Sequence, residues 1–262
     1  MHFLGEINPF YSLAGLLVGI LVGLTGVGGG SLMTPLLVLL FNFHPATAVG
    51  TDLLFAAMTK TVGSLVHGWR STVDWKIVWR LGSGSVPAAF VTLAMLRYGG
   101  TPSDVTAKVM TTGLGAMLIL TSVAVLYQGR LVAWATSRFG RSFSADRAWP
   151  TVALGVILGL LVSITSVGAG AIGVTALLIL YPRMSVAKIV GSDIAHAVPL
   201  TLVAGMGHWY LGNVNLSLLG SLLVGSIPGV IIGSLIGSGA SDRFLRPLLA
   251  AVLLLVGAKL IL

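Results

Sequence analysis

Eight apolar stretches, at about 11–43, 46–67, 77–96, 108–127, 150–181, 186–207, 215–237 and 244–262, fill nearly all of this chain. Most have a length near the ~20 residues that cross a bilayer as a helix. Two do not: 11–43 and 150–181 are too long for one span, and glycine interrupts each near its middle. Little polar sequence separates the stretches. Of 262 residues, 15 are Lys or Arg and 7 are Asp or Glu, so 8% are charged, against about 25% in a soluble domain. Seven carboxylates cannot help cover a soluble surface of this size, and the mean hydropathy of +1.01 agrees. The expected class is an all-α polytopic membrane protein. A β-barrel is excluded, because the apolar runs are long and do not alternate with polar residues. The absence of cysteine excludes disulfides, thiolate metal sites and cysteine nucleophiles. The net charge of +8 sits singly in short gaps, which fits cytoplasmic loops beside a lipid bilayer better than a nucleic-acid patch. Residues 1–10 contain no Lys or Arg and carry Glu6, so no cleavable signal is expected there.

The chain reads as an internal duplication. A shift of 140 places Thr25-Gly26-Val27-Gly28-Gly29-Gly30 on Thr165-Ser166-Val167-Gly168-Ala169-Gly170. A shift of 141 places Val49-Gly50-Thr51-Asp52 on Val190-Gly191-Ser192-Asp193, His67 on His208, and Ser85-Val86-Pro87 on Ser226-Ile227-Pro228. The expected organisation is a first repeat at 1–127, a cytoplasmic Arg-rich linker at 128–149 with Trp134 and Trp149 as interface anchors, and a second repeat at 150–262. Each repeat is expected to be a glycine-broken helical hairpin plus three transmembrane helices. Charge then sets the orientation. If the broken runs return to their starting side, the repeats are inverted. Arg70, Lys76, Arg80, Arg130, Arg138, Arg141, Arg147, Arg183, Lys188, Arg243 and Arg246 then fall inside, against Arg97, Lys108 and Lys259 outside. If each broken run crosses once, the bias nearly vanishes. The positive-inside rule therefore favours inverted repeats in a cell (inner) membrane, with both termini on the non-cytoplasmic side.

The glycine breaks carry the most chemical information. Irregular backbone at membrane depth is tolerated only when buried in protein or lining a polar cavity. A helix leaving such a tip aims its free N–H groups and positive dipole end into the site, which suits a small oxyanion. Candidate anion contacts are Thr25, Gly28, Gly29, Gly30 and Ser31 at the first tip, with Thr34 nearby. At the second tip they are Thr165, Ser166, Gly168 and Gly170. Ser31 is placed to cap the departing helix, and Pro35 lies near its first turn, where a missing N–H does no harm. Close packing through small residues is the competing explanation for the glycines.

Residues 23–31 (Gly-Leu-Thr-Gly-Val-Gly-Gly-Gly-Ser), Pro35, the downstream Ala48-Val49-Gly50-Thr51-Asp52 and the duplicated layout resemble the TauE/SafE family of membrane transporters across essentially the whole chain. The resemblance implies export or uptake of sulfite or small organosulfonates. The second tip departs from the pattern, with Ser163, Ser166 and Ala169 where the first has Gly23, Gly26 and Gly29.

Asp52 and Asp193 occupy equivalent positions within apolar stretches. A carboxylate at the centre of a membrane helix costs ~2.5–3.5 kcal/mol, so it usually faces a cavity. Both are candidates for carrying a coupling proton or for bonding broken-helix backbone, with Thr51 and Ser192 beside them as candidate substrate contacts. Lys60 lies about two turns after Asp52 on a similar face and can meet a carboxylate or the anion. His196, one turn from Asp193, suits proton exchange. His67 and His208, beside Trp69 and Trp209, read as interface anchors. No catalytic motif is present: Gly82-Ser83-Gly84-Ser85 lacks a hydrolase elbow, and the glycine tracts lack a nucleotide-loop context. The expected function is secondary transport of a small anion bound at the midplane between two tips, coupled to a proton or cation. No enzyme activity, cofactor or metal is expected, and a homodimer is a candidate assembly. The rivals are an intramembrane aspartyl hydrolase using Asp52 and Asp193, and an anion channel.

Overall fold

A computed structural model describes residues 7–25, 29–69, 72–99, 103–139, 148–237 and 242–262. Among them all regular structure is helical. The first five helices are α1 (Pro9–Thr25), α2 (Met33–Leu39), α3 (Pro45–Trp69), α4 (Trp75–Tyr98) and α5 (Ser103–Phe139), with a 3-10 turn (Gly29–Leu32) leading into α2. The next five are α6 (Ala148–Thr165), α7 (Ala171–Leu180), α8 (Val186–Tyr210), α9 (Leu216–Gly237) and α10 (Asp242–Ile261). Among the described residues, five helices are long and apolar enough to cross a membrane. Large apolar side chains such as Phe10, Leu17, Phe90, Ile231 and Leu255 face outward, as a lipid-embedded surface requires. On α4, exposed Trp75 and Trp79 stand at one end and Tyr98 at the other. Its 24 residues correspond to about 36 Å of helix, the hydrocarbon core plus part of each interface.

Both over-long runs are hairpins. Tyr11 on α1 packs edge-on against Phe41, with centroids 4.9 Å apart, and also against Phe43, so the chain after α2 returns to the level where α1 began. In the second run Thr151 on α6 bonds the Tyr181 hydroxyl after α7 at 2.7 Å. These are the same positions shifted by 140. The return limbs are short, 7 residues in α2 and 10 in α7, or about 10–15 Å of helix. Each return limb is therefore shorter than a full membrane span.

Glycine-lined seams set helix direction. Gly15 faces Leu222 and Gly19 faces Ser226, while Gly229 and Gly233 face Leu16 and Ile20, so α1 and α9 run parallel in close contact. Gly155 and Gly159 bring α6 against Leu81 and Ser85 of α4 in the same sense. By contrast α3 and α8 are antiparallel, with Gly50 against His208 and Leu54 against Gly205. So are α5 and α10, where Gly115 meets Gly257 and the Ser122 hydroxyl donates to the Ala250 carbonyl at 2.7 Å. Small residues are what allow such backbone approach in lipid, where packing replaces the hydrophobic drive.

Two matched clamps fix the long helices. Asp74 caps α4 by accepting from the N–H groups of Lys76 and Ile77, and its own N–H donates to the Ser192 hydroxyl at 2.8 Å. Asn215 accepts from the Leu218 N–H, and its own N–H donates to Thr51 Oγ1 at 3.1 Å. Asp74 and Asn215 are equivalent under the 141 shift, as are Thr51 and Ser192. Within the expected linker at 128–149, residues 140–147 lie outside the described ones. Residues 128–139 continue α5, and helix resumes at Ala148, because Arg130–Phe139 contains neither Gly nor Pro to stop it. Gln128 is tied into the body, donating to Thr175 at 3.4 Å and accepting from Arg246 at 2.7 Å.

Candidate functional site

The second tip shows how a membrane helix is broken without stranding its backbone. α6 ends at Thr165, whose hydroxyl shares its proton between the Leu161 and Val167 carbonyls and accepts from the Val167 N–H at 3.2 Å. Ser166 then takes a left-handed conformation (φ 59°), Gly168 and Gly170 have φ near 130°, and Gly170 precedes α7. A side chain at either glycine would be strained, since L residues rarely occupy that region. With Val167 N–H engaged by Thr165, the Ser163 carbonyl loses its helical donor, and His208 Nε2 supplies one at 2.8 Å. A carbonyl only accepts, so Nε2 carries the proton, and Nδ1 is free to accept from Asn213. His208 is fully buried. The interface-anchor reading is therefore corrected: this histidine caps a broken helix. The side chain of His67 lies outside the described residues, as does Gly28.

The first tip differs. Leu32, in right-handed conformation, precedes α2 without any side-chain cap. Ser31 lies buried inside the 3-10 turn, which corrects the expected Ser31 cap: a 3-10 turn feeding directly into a helix leaves no extended residue to serve as one. Thr25 ends α1, Gly29 and Gly30 begin the turn, and Pro35 is buried in the first turn of α2, as expected.

The charged residues converge on these breaks. Asp52 on α3 is fully buried and accepts a hydrogen bond from the Thr34 hydroxyl of α2. The Ser166 hydroxyl of the other tip lies beside the same carboxylate without closing a hydrogen bond of normal geometry. Asp193 on α8, equally buried, presses against Gly173 of α7, where even a β-carbon would collide with its Oδ1. One oxygen of each carboxylate, Oδ1, has no hydrogen-bond partner. Lys60, only partly buried, reaches from the first repeat to the second tip and donates to the Ala169 carbonyl at 3.2 Å. Its ammonium closes no ion pair with either carboxylate. His196 is fully buried, its Nε2 is 2.8 Å from the Ser85 hydroxyl, and its Nδ1 has no partner. At the start of α7 the N–H groups of Ala171 and Ile172 have no acceptor among the described residues, as at any uncapped helix start.

Of the residues picked out by sequence, Lys60 meets the second tip through the Ala169 carbonyl, Ser166 of that tip lies beside Asp52, and Asp193 and His196 stand one turn apart on α8. Thr51 and Ser192 are not available in the same way, because their hydroxyls accept the backbone N–H groups of the two clamps. Thr165 is consumed by the turn itself. The sequence reading missed Gly173, the Ala169 carbonyl and Ser85. A single glycine in an apolar helix, a backbone oxygen and a serine in a Gly-Ser run give no signal until the partner helices are placed. Among the described residues no group of acidic or imidazole side chains is arranged to hold a metal ion.

Outward-facing apolar helices and two broken hairpins joined across a buried charged cluster define a multi-pass membrane protein of the transporter class. The chain belongs to the sulfite exporter TauE/SafE family, whose sequence model matches residues 11–260. It is 37% identical over 252 residues to the probable membrane transporter protein YjnA of Bacillus subtilis, covering 95% of this chain and 98% of that protein. The probable membrane transporter protein YdhB of the same organism is 28% identical over 91% of this chain and 96% of its own length. The probable membrane transporter protein MJ0441 of Methanocaldococcus jannaschii is 23% identical over 97% and 95%. No solved structure matches it.

Proposed function

We propose that the chain is a secondary transporter of a small oxyanion, sulfite or a small organosulfonate, held between the two hairpin tips. The observation that carries this reading is the meeting of Lys60 with the second tip, where unpaired α7 N–H groups stand close to the Ala169 carbonyl it bonds. Amide donors and an ammonium away from bulk water suit a compact anion with several acceptor oxygens. Two carboxylates and one ammonium leave the centre net negative when all are ionised, so an anion enters best with a proton on Asp52 or Asp193. His196, with an unpaired nitrogen one turn from Asp193, is a path for that proton.

The same proposal includes inverted repeats. Hairpins that return to their starting level, and the antiparallel pairing of α3 with α8 and of α5 with α10, support it. The positive-inside count then places α5's far end and the Arg-rich segment in the cytoplasm and both termini outside. Alternating access becomes one repeat rocking against the other about the charged centre.

The test is flux into liposomes containing the purified protein, with sulfite, thiosulfate, a C2 sulfonate and acetate as substrates. Saturable sulfite or sulfonate flux, with exchange between labelled and unlabelled anion, is the expected outcome. Flux linear in concentration and without exchange would make it a channel, and peptide cleavage without flux would make it a hydrolase.

A further inference from the structure

Each repeat lays one loop across the other, at opposite ends of the antiparallel α3–α8 pair. After α3, the Thr72 carbonyl rests against Gly191 of α8, and the Asp74 N–H donates to the Ser192 hydroxyl at 2.8 Å. After α8, the Asn213 carbonyl rests against Gly50 of α3, and the Asn215 N–H donates to Thr51 Oγ1 at 3.1 Å. All four positions of one clamp map onto the other under the 141 shift. Glycine is needed at both contacts, since a β-carbon would run into the loop carbonyl. The residue after each clamp hydroxyl is a buried carboxylate that touches a hairpin's return limb, Asp52 through Thr34 of α2 and Asp193 through Gly173 of α7.

The clamps differ in one respect. Lys188 Nζ reaches Asp74 Oδ2 at 3.6 Å, with both groups partly exposed. The equivalent residues at the other clamp are Thr47 and Asn215, which carry no charge. Asp74 and Asn215 still bond the N–H groups of their own helix starts alike, so the charge is additional to the local fold.

We propose that the two clamps are the gates of the transport cycle, released by turns, and that the Asp74–Lys188 ion pair holds the cytoplasmic gate shut in the idle protein, so that the outer gate opens more often. The inference rests on reading the chain as an inverted-repeat transporter. A backbone N–H on a hydroxyl is weak enough to break at each turnover. Releasing it frees the helix turn that carries the neighbouring carboxylate and braces a tip. An exposed ion pair adds a bias of a few-fold and is screened by salt.

A reporter cysteine, Ala169→Cys at the second tip, reads the gates in this cysteine-free chain. An impermeant maleimide is added to one face of oriented vesicles. Labelling should be faster from outside. Asp74→Asn keeps the cap, as Asn215 does, but loses the ion pair. It should raise cytoplasmic labelling and lower outside labelling, changing their ratio by up to about fivefold. About 1 M salt should do the same to wild-type clamps and leave the variant unmoved. Thr47→Lys with Asn215→Asp moves the charged pair to the outer clamp and should shift the ratio the opposite way. A ratio indifferent to these changes, or labelling that rises from both faces together, overturns the proposal. A second measurement bridges Asp74→Cys with Lys188→Cys, or Thr47→Cys with Asn215→Cys, using a bifunctional methanethiosulfonate. Either bridge should stop anion exchange, and reduction should restore it. Exchange that continues through a verified bridge overturns the gates while leaving the transport reading intact. If the unbridged protein carries no anion at all, the transport reading fails, and opposite shifts in labelling would still establish two alternating gates.

Discussion

At the scale of single residues, the carboxylates invite the sharpest substitutions. Asp52→Asn keeps size and acceptor capacity for the Thr34 hydroxyl but cannot titrate. If Asp52 carries the coupling proton, anion accumulation driven by a pH gradient should disappear in this variant while exchange persists. If pH-driven uptake survives in both Asp52→Asn and Asp193→Asn, the proton-carrier role is lost. Asp52→Leu should instead destabilise by about 1–3 kcal/mol, since the Thr34 hydroxyl loses its buried acceptor. His208→Ala belongs to the same class: it strands the Ser163 carbonyl and should lower the melting temperature at every pH tested, with no change in substrate preference if the protein still folds. Asp52, Asp193, Lys60 and His196 stand out in the sequence because an ionisable group in an apolar helix is expensive. The hydroxyls of Thr51 and Ser192 each accept a backbone N–H from the opposite repeat, a partner that nothing local in the sequence announces.

Among elements, the breaks matter most. Clustered glycine marks where α1 and α6 must end, but it does not reveal how. At the second tip a left-handed Ser166 and two positive-φ glycines reverse the chain, whereas the first passes through a 3-10 turn. Gly170→Leu should abolish transport while protein still reaches the membrane, since φ 131° and the adjoining amide donors leave no place for the side chain. Gly29→Leu should do the same at the first tip. Normal flux in both variants would reduce the glycines to packing residues. A second element-level expectation concerns the α1–α9 seam. Gly19→Leu puts atoms into the Ser226 backbone, where a β-carbon alone comes within 2.6 Å of the carbonyl oxygen. The variant should be recovered at much lower yield and should aggregate on heating before wild type does.

For the whole molecule the decisive quantity is sidedness. Single cysteines introduced into this cysteine-free chain can be labelled from either side. Reagent confined to the cytoplasm should reach 128–149, 182–188 and 238–246, and reagent outside should reach both termini. A C-terminus labelled from the cytoplasm would discard the inverted arrangement and its rocking mechanism together.

Sequence by itself fixed membrane residence, helical class, the two breaks and the family, because each depends on local composition, spacing or resemblance along the chain. Seven carboxylates among 262 residues permit no soluble fold, and runs longer than one span with glycine at their centres cannot be straight helices. What only the tertiary structure decided was which groups remain free. Whether a hydroxyl, imidazole or glycine serves the site or the scaffold depends on a neighbour some 110 to 164 residues away, as Lys60 with Ala169, Ser85 with His196 and Thr51 with Asn215 show. The hydrogen-bonding capacity of a side chain is local, but the partner that uses it up is set by how the helices pack.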